Sequence, residues 1–273
     1  VRCSRHSVPW LQACLQPSAL PWGFADRSVR VLCVPVRARW VATASFEAVL
    51  AALREVQLPR HKRRAAAPRA AGSDAPRGCT LGLTFDYGTG EPRPSAATRA
   101  FPTLVRALCE ACRTAAPTFR FTTIQVNLNA KYRLHTDGFD AGPSQMFCCG
   151  DFVGGRVWLH DSAAMCWRPM DSRERWIAFD GRELHLTEDW SGPERYSLVY
   201  FTSPAWRSIG LKSGGLGAVA VDAAAHLKGV GFNWPQGEED AFRAPLGPLE
   251  ERWGHALATL PPTLCHGWGE GRA

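Results

Sequence analysis

Hydrophobic and polar positions follow two rhythms along this chain. In "SFEAVLAALREV" (45–56), Phe46, Val49, Leu50 and Leu53 recur at helical spacing and Ser45 can cap the first turn, so the pattern predicts a helix. "PTLVRALCEACR" (102–113) repeats that rhythm, with Pro102 suited to a first turn. "CTLGLTFDYGTG" (79–90) is strand-like and ends in a Gly-rich turn. From Phe121 the period shortens to two. In "FTTIQVNLN", Ile124, Val126 and Leu128 lie on one face, and Gln125, Asn127 and Asn129 on the other. "SQMFCCGDF" (144–152) is almost wholly apolar, as expected of a strand buried on both faces. "RVWLH" (156–160), "RWIAFD" (175–180), the segment around His185 and "RYSLVYFT" (195–202) complete the set, with turns at Gly154-Gly155 and Asp180-Gly181.

Many short strands behind two amphipathic helices predict a mainly β protein with flanking helices (α+β), built on a double-sheet jelly roll. The division expected is a basic extension with a helix (1–56), a basic Ala/Pro/Arg linker that resists folding (57–78), a jelly-roll domain with a supporting helix (79–203), and a C-terminal appendage of helices and loops (204–273).

Composition changes this picture in three places. No apolar run approaches the length of a membrane span, so no membrane role is expected. The net charge of +7 is concentrated before residue 79, in "RHKRRAAAPRAAGSDAPRG" (60–78), whereas the strand region carries more acids than bases. That tract reads as a solvated linker, with capture of nucleic acid phosphates as the alternative. Residues 1–50 are Arg-rich and acid-poor, which suits a basic extension and leaves an organelle-targeting segment as an alternative. The chain opens on Val1 and not on Met, so residues upstream of it are an open expectation. The ten cysteines are irregularly spaced, unlike a disulfide framework, and read as reduced thiols of an intracellular protein, nuclear or cytoplasmic. Cys109 and Cys112 form a C-x-x-C on a helical pattern without a second pair, which fits a buried helix face better than zinc.

The chemistry centres on "RLHTDGFDAGPSQMF" (133–147). His135-Thr136-Asp137 alone reads more often as a polar loop than as two metal ligands. Downstream, His185 follows a strand and a turn, and Arg195 opens a strongly apolar strand with Ser197 two residues on. Two imidazoles and a carboxylate can hold Fe(II) on one face and leave positions open. A basic residue at the start of a buried strand needs an anion, either a protein carboxylate such as Glu194 or Asp189 or a bound ligand.

The run "HTD … GDFVGGRVWL … WIAFDGRELHLTEDWSGPERYSLVYF" resembles the Fe(II)- and 2-oxoglutarate-dependent dioxygenases, over about residues 79–203. The combination of "GPS", "DFVGG", "FDGRELH" and "GPERYSLVYF" is most similar to the branch of the ten-eleven translocation and J-binding-protein base oxygenases. The resemblance implies a double-stranded β-helix of cupin type. It implies an oxidoreductase using Fe(II), 2-oxoglutarate and O2, with ascorbate as a compatible reductant. By residue, it makes His135, Asp137 and His185 the iron ligands and Arg195 the cosubstrate anchor with Ser197 as a helper. Asn127, Asn129 and Tyr132 lie where some relatives contact cosubstrate, although their motif is not cleanly matched. His185 is expected to face solvent and to carry little core packing. A DNA or RNA base is the substrate that the branch suggests, and Trp158, Trp176 and Trp190 are candidates to stack on a flipped base, with core packing as the plainer role for Trp158 and Trp176. Relatives of this fold also hydroxylate proline, other protein side chains and small molecules. A second functional class stays open, namely a non-catalytic jelly-roll binding module with a basic nucleic-acid-binding arm. Oligomeric state has no signal in the sequence.

Overall fold

The computed structural model describes residues 43–60, 66–67, 75–86, 88, 91–137, 140–209, 217–236 and 246–264. In chain order the described elements are α1 (Thr43–Arg54), β1 (Ala66–Ala67), β2 (Arg77–Asp86), β3 (Glu91–Pro94), α2 (Ala96–Ala100), α3 (Pro102–Ala115), β4 (Thr123–Leu128), β5 (Lys131–Tyr132), β6 (Ser144–Cys149), β7 (Val153–Gly154), β8 (Val157–Asp161), β9 (Cys166–Met170), β10 (Ile177–Phe179), β11 (His185–Thr187), β12 (Trp190–Ser191), β13 (Tyr196–Phe201), α4 (Gly217–Val230) and α5 (Leu249–Ala258).

Six strands form the larger sheet in the order β10-β6-β13-β4-β2-β3, with every pairing antiparallel. The smaller sheet, β11-β8-β9, gains one more antiparallel rung where His135 bridges His185. The chain crosses repeatedly between the two sheets, so strands far apart in sequence become neighbours. This is a jelly roll of the double-stranded β-helix kind.

Strand alternation gives the larger sheet two unlike faces. The convex face sends Leu81, Ile124, Val126, Phe147, Leu198 and Tyr200 into one core with Phe46, Val49 and Leu53 of α1 and Leu104, Val105 and Leu108 of α3. Each such side chain contributes roughly 1.5–3 kcal/mol by leaving water. Phe46 and Phe147 pack with ring centroids 5.1 Å apart, tying the first helix to the sheet. The expected helices and the strands from Phe121 onward are all present. Strand β9, not foreseen, is an edge strand whose sequence CWRPM has no alternation to read, and most of it is exposed.

Residues 1–42 of the expected extension lie outside the described residues. The expected linker, 57–78, does so at 61–65 and 68–74. Its described parts are attached to the fold: Leu58 is buried in the core, Pro59 O accepts from Gly78 N at 2.9 Å, and Ala66–Ala67 pair with Lys131–Tyr132. Beyond Pro204, Leu227 and Phe232 join the same core. Helix α5 covers the outer side of the smaller sheet through Ala256, which packs with Leu184 and Leu186. No described helix is long and apolar enough to cross a membrane. The six described cysteines are unbridged, and burial pushes the Cys109 thiol up to about 12, as suits the packed helix face read from the C-x-x-C.

Candidate metal centre and the pocket behind it

Backbone pairing brings the two histidines together. His135 N donates to His185 O at 3.0 Å and His185 N donates to His135 O at 2.9 Å. This is the exchange that sets two residues directly opposite on antiparallel strands. The rings follow, with centroids 4.2 Å apart. Asp137 joins them because its N–H donates to Gly181 O at 2.7 Å, across the Asp180-Gly181 turn. The approach there is close. A Cβ at position 181 would meet the Asp137 Cβ and Oδ2, each at 3.1 Å.

The three side chains have one ligand atom each within 4.8 Å of one another. His135 Nδ1 lies 2.7 Å from Arg133 O and His185 Nδ1 lies 2.8 Å from Glu183 O. A carbonyl only accepts, so Nδ1 carries the proton in both rings and each Nε2 keeps its lone pair. Those Nε2 atoms face the two oxygens of Asp137, His135 to Oδ1 and His185 to Oδ2, both at 3.6 Å. Burial pushes the His185 imidazole down to about 4, with the neighbouring His135 adding to the shift against the pull of Asp137. Two Nε2 lone pairs and the Asp137 carboxyl therefore converge on one point. That arrangement calls for a cation, and two imidazoles with one carboxylate on one face are the donor set of non-haem Fe(II).

His185 does not face solvent as expected. It is 6% exposed and packs edge-on against Phe179, with centroids 5.5 Å apart. The strand places it between the sheets, where the sequence showed only a polar segment after a turn. His135 and Asp137 are the accessible members, each about one-third exposed.

Behind the cluster lies a cavity of about 720 Å3, reached by the concave face of the larger sheet. Arg195, 1% exposed, is the only Lys or Arg among its described lining residues. Neither suggested carboxylate partner is used: Glu194 pairs with Arg54 and Asp189 pairs with Lys131. The guanidinium instead lies over the rings of Trp190 and Phe152, 5.1 and 5.5 Å from their centroids, and Nη2 donates to Gly155 O at 2.7 Å. Its Nε is buried with no hydrogen-bond partner among the described residues. A buried, always-charged fork with an unused donor is suited to a carboxylate ligand. Gly155, read from sequence only as a turn, has a second reason to be glycine, because a Cβ there would lie 2.7 Å from Arg195 Nε.

Ser197, Asn127 and Tyr132 line the same cavity. Asn129 does not. Its Oδ1 accepts from Arg195 N at 2.9 Å and its Nδ2 donates to Pro193 O at 3.0 Å, so it fastens the start of β13 to the end of β4. The strand alternation that seemed to put it on the Asn127 face breaks at Asn129, whose φ of 54° turns the chain. Thr80 and Gln125 also line the cavity and were not singled out from the sequence. The signal was there in the polar side of the β4 alternation. The three tryptophans stay outside the cavity lining: Trp176 packs on Phe147 and Tyr200, Trp158 donates to Glu188, and Trp190 covers Arg195.

No family model matches the chain, and no curated protein matches it. Several solved structures are similar to it. One is NgTET1 in complex with 5mC DNA, at 14% identity over 47% of this chain and 61% of that chain, with a TM-score of 0.36. This chain thus spans less than two thirds of that protein. Another is an oxidoreductase of the 2OG-Fe(II) oxygenase family from Burkholderia pseudomallei, at 18% identity over 59% of this chain and 78% of that chain, with a TM-score of 0.38. A third is a Pseudomonas putida prolyl-4-hydroxylase, at 15% identity over 59% of this chain and 87% of that chain, with a TM-score of 0.35.

Proposed function

We propose that this protein is an Fe(II)- and 2-oxoglutarate-dependent dioxygenase, with His135, Asp137 and His185 as metal ligands and Arg195 as cosubstrate anchor. The observation that carries the reading is one cavity holding both parts: three converging lone-pair donors and a buried guanidinium without a carboxylate partner. Iron, when bound, supplies the means to couple oxidative decarboxylation of 2-oxoglutarate to hydroxylation of a C–H bond. In the net reaction R–H, O2 and 2-oxoglutarate become R–OH, succinate and CO2. Arg195 would neutralise and orient the distal carboxylate of the cosubstrate by a two-pronged contact. Backbone carbonyls of Arg133 and Glu183 hold both imidazoles in the tautomer that presents Nε2. Met146, Val157, Phe179 and Val199 line the cavity with apolar surface, which limits water beside the reacting groups.

Among the described residues the lining offers the target no exposed Lys or Arg, which favours a neutral group over an anionic one. A nucleic acid base is such a group, and the NgTET1 structure, solved with 5mC DNA, makes it the first to try. A protein side chain or a neutral small molecule is the alternative within the same chemistry. Incubation with Fe(II), ascorbate, O2 and 2-oxoglutarate should yield succinate that depends on iron. Mass spectrometry of offered nucleic acids and peptides for a gain of one oxygen then sorts the substrates. Absence of iron-dependent succinate at any substrate would overturn the enzymatic reading and leave a binding module.

A further inference from the structure

From β2 across β4 to β13, the strand that Arg195 opens, a chain of largely buried polar groups crosses the larger sheet. Thr80 Oγ1 donates to Gln125 Oε1 at 2.7 Å. Gln125 Nε2 faces three acceptors: Cys79 O at 3.2 Å, Val126 O at 3.0 Å and Asn127 Oδ1 at 3.0 Å. Asn127 Oδ1 also accepts from Tyr132 OH at 2.7 Å, and Asn127 Nδ2 donates to Ser197 Oγ at 3.2 Å. Gln125, Asn127 and Ser197 are each 5% exposed or less.

The direction of every bond in this chain is forced from one end. Main-chain carbonyls accept and never donate, so the Gln125 atom that faces Cys79 O and Val126 O is its nitrogen. The Asn127 atom facing that nitrogen must then be oxygen. Asn127 turns its NH2 to Ser197, and the Ser197 oxygen receives it. The Ser197 hydroxyl makes no other hydrogen bond among the described residues, so its proton is left to point into the cavity that Arg195 lines. Were Asn127 flipped, Ser197 would spend its proton on the Asn127 oxygen and show the cavity only lone pairs, which repel a carboxylate.

We infer that Gln125, oriented by the Cys79 and Val126 carbonyls and by Thr80, is a positioning residue that acts through Asn127 to keep Ser197 a hydrogen-bond donor toward a carboxylate held by Arg195. The inference rests on the cosubstrate reading above. It assigns Gln125 and Thr80 a part in that site without any contact to the ligand. It also gives Tyr132 a different duty, because its O–H is committed to Asn127 and helps to hold the same orientation.

The test is a double-mutant cycle on the full chain, loaded with Fe(II) without oxygen and titrated with 2-oxoglutarate. Gln125→Met keeps length and removes both amide roles. It should raise the 2-oxoglutarate Kd about tenfold, equal to about 1.4 kcal/mol, with Fe(II) affinity unchanged. Ser197→Ala should do the same. The double variant should be no worse than either single one, because both remove the same donor. A Kd that stays at the wild-type value in Gln125→Met overturns the inference, as does a double variant whose losses multiply to about a hundredfold. If Gln125→Met does not fold, Thr80→Val carries the test, with a smaller rise in Kd that must also vanish in the Ser197→Ala background. Wild-type protein that binds Fe(II) but no 2-oxoglutarate overturns the cosubstrate reading and this inference with it, an outcome distinct from a silent Gln125→Met in a protein that binds.

Discussion

The two faces of the larger sheet come from the same strands and do opposite work. On the convex side, Ile124, Val126, Leu198 and Tyr200 meet helices α1 and α3 in an apolar core. One residue along in each case, Gln125, Asn127, Ser197 and Val199 turn to the cavity. Of these, the polar Gln125, Asn127 and Ser197 are buried like their apolar neighbours, yet they face a cavity and one another. Burying them is tolerated because each finds a partner, since an unmet polar group costs about 1–3 kcal/mol. The difference shows that burial alone does not mark a structural residue. On the proposed reading, stability resides on one side of the sheet and chemistry on the other, and a substitution should disturb one without the other.

The largest separation is expected at Asp137. Its side chain is about one-third exposed and adds little packing, so Asp137→Ala should fold with a near-native melting temperature and lose stoichiometric Fe(II). Retention of Fe(II) at wild-type affinity, read by metal analysis after gel filtration, would remove it from the ligand set. Leu198→Ala is the mirror image. It empties a fully buried position on the convex face and should cost about 2–5 kcal/mol of unfolding free energy in denaturant titration. Iron affinity of the molecules still folded should not change.

The metal-free protein should also weaken in acid through His185. Its folded value near 4 lies below the ordinary imidazole value of 6.5, so the unfolded chain binds a proton that the native chain refuses. Stability therefore falls as pH drops from about 6.5 toward 4, by on the order of 3 kcal/mol. His185→Gln should flatten that slope, and an unchanged slope would locate the acid sensitivity elsewhere. The smallest effect belongs to the rim. Arg54 pairs with Glu194 at the surface, and Arg54→Ala should leave the denaturation midpoint almost unchanged and should not touch iron or cosubstrate binding.

Much of this division was legible in the sequence. The period-two run at Ile124–Leu128 fixed which residues share a face, and the helical spacing of Phe46, Val49 and Leu53 foretold the helix that covers one of them. What alternation cannot show is what lies beyond a polar face. Gln125 and Asn127 look the same in a string whether they meet water or a cavity, and only the closure of β4 against β13 decides it. The three ligand candidates were named from order and spacing. The burial of His185 and the backbone exchange with His135 depend on strand crossings that no local pattern records. Asn129 misled for a local reason, because one positive φ ends the alternation that seemed to include it.

The claim on which the rest depends is that the concave face holds 2-oxoglutarate between the metal centre and Arg195. Titrating 2-oxoglutarate into the anaerobic Fe(II) protein, and following the metal-to-ligand charge-transfer band, tests it directly. The wild type should develop a saturable band. Arg195→Ala should keep its Fe(II) but need roughly 30- to several-thousand-fold more 2-oxoglutarate, the consequence of losing about 2–5 kcal/mol from a buried charge pair. Arg195→Lys should recover part of that loss, since an ammonium keeps the charge without the fork. Superimposable curves for the wild type and Arg195→Ala, or a wild type that binds Fe(II) and develops no band, would contradict the claim.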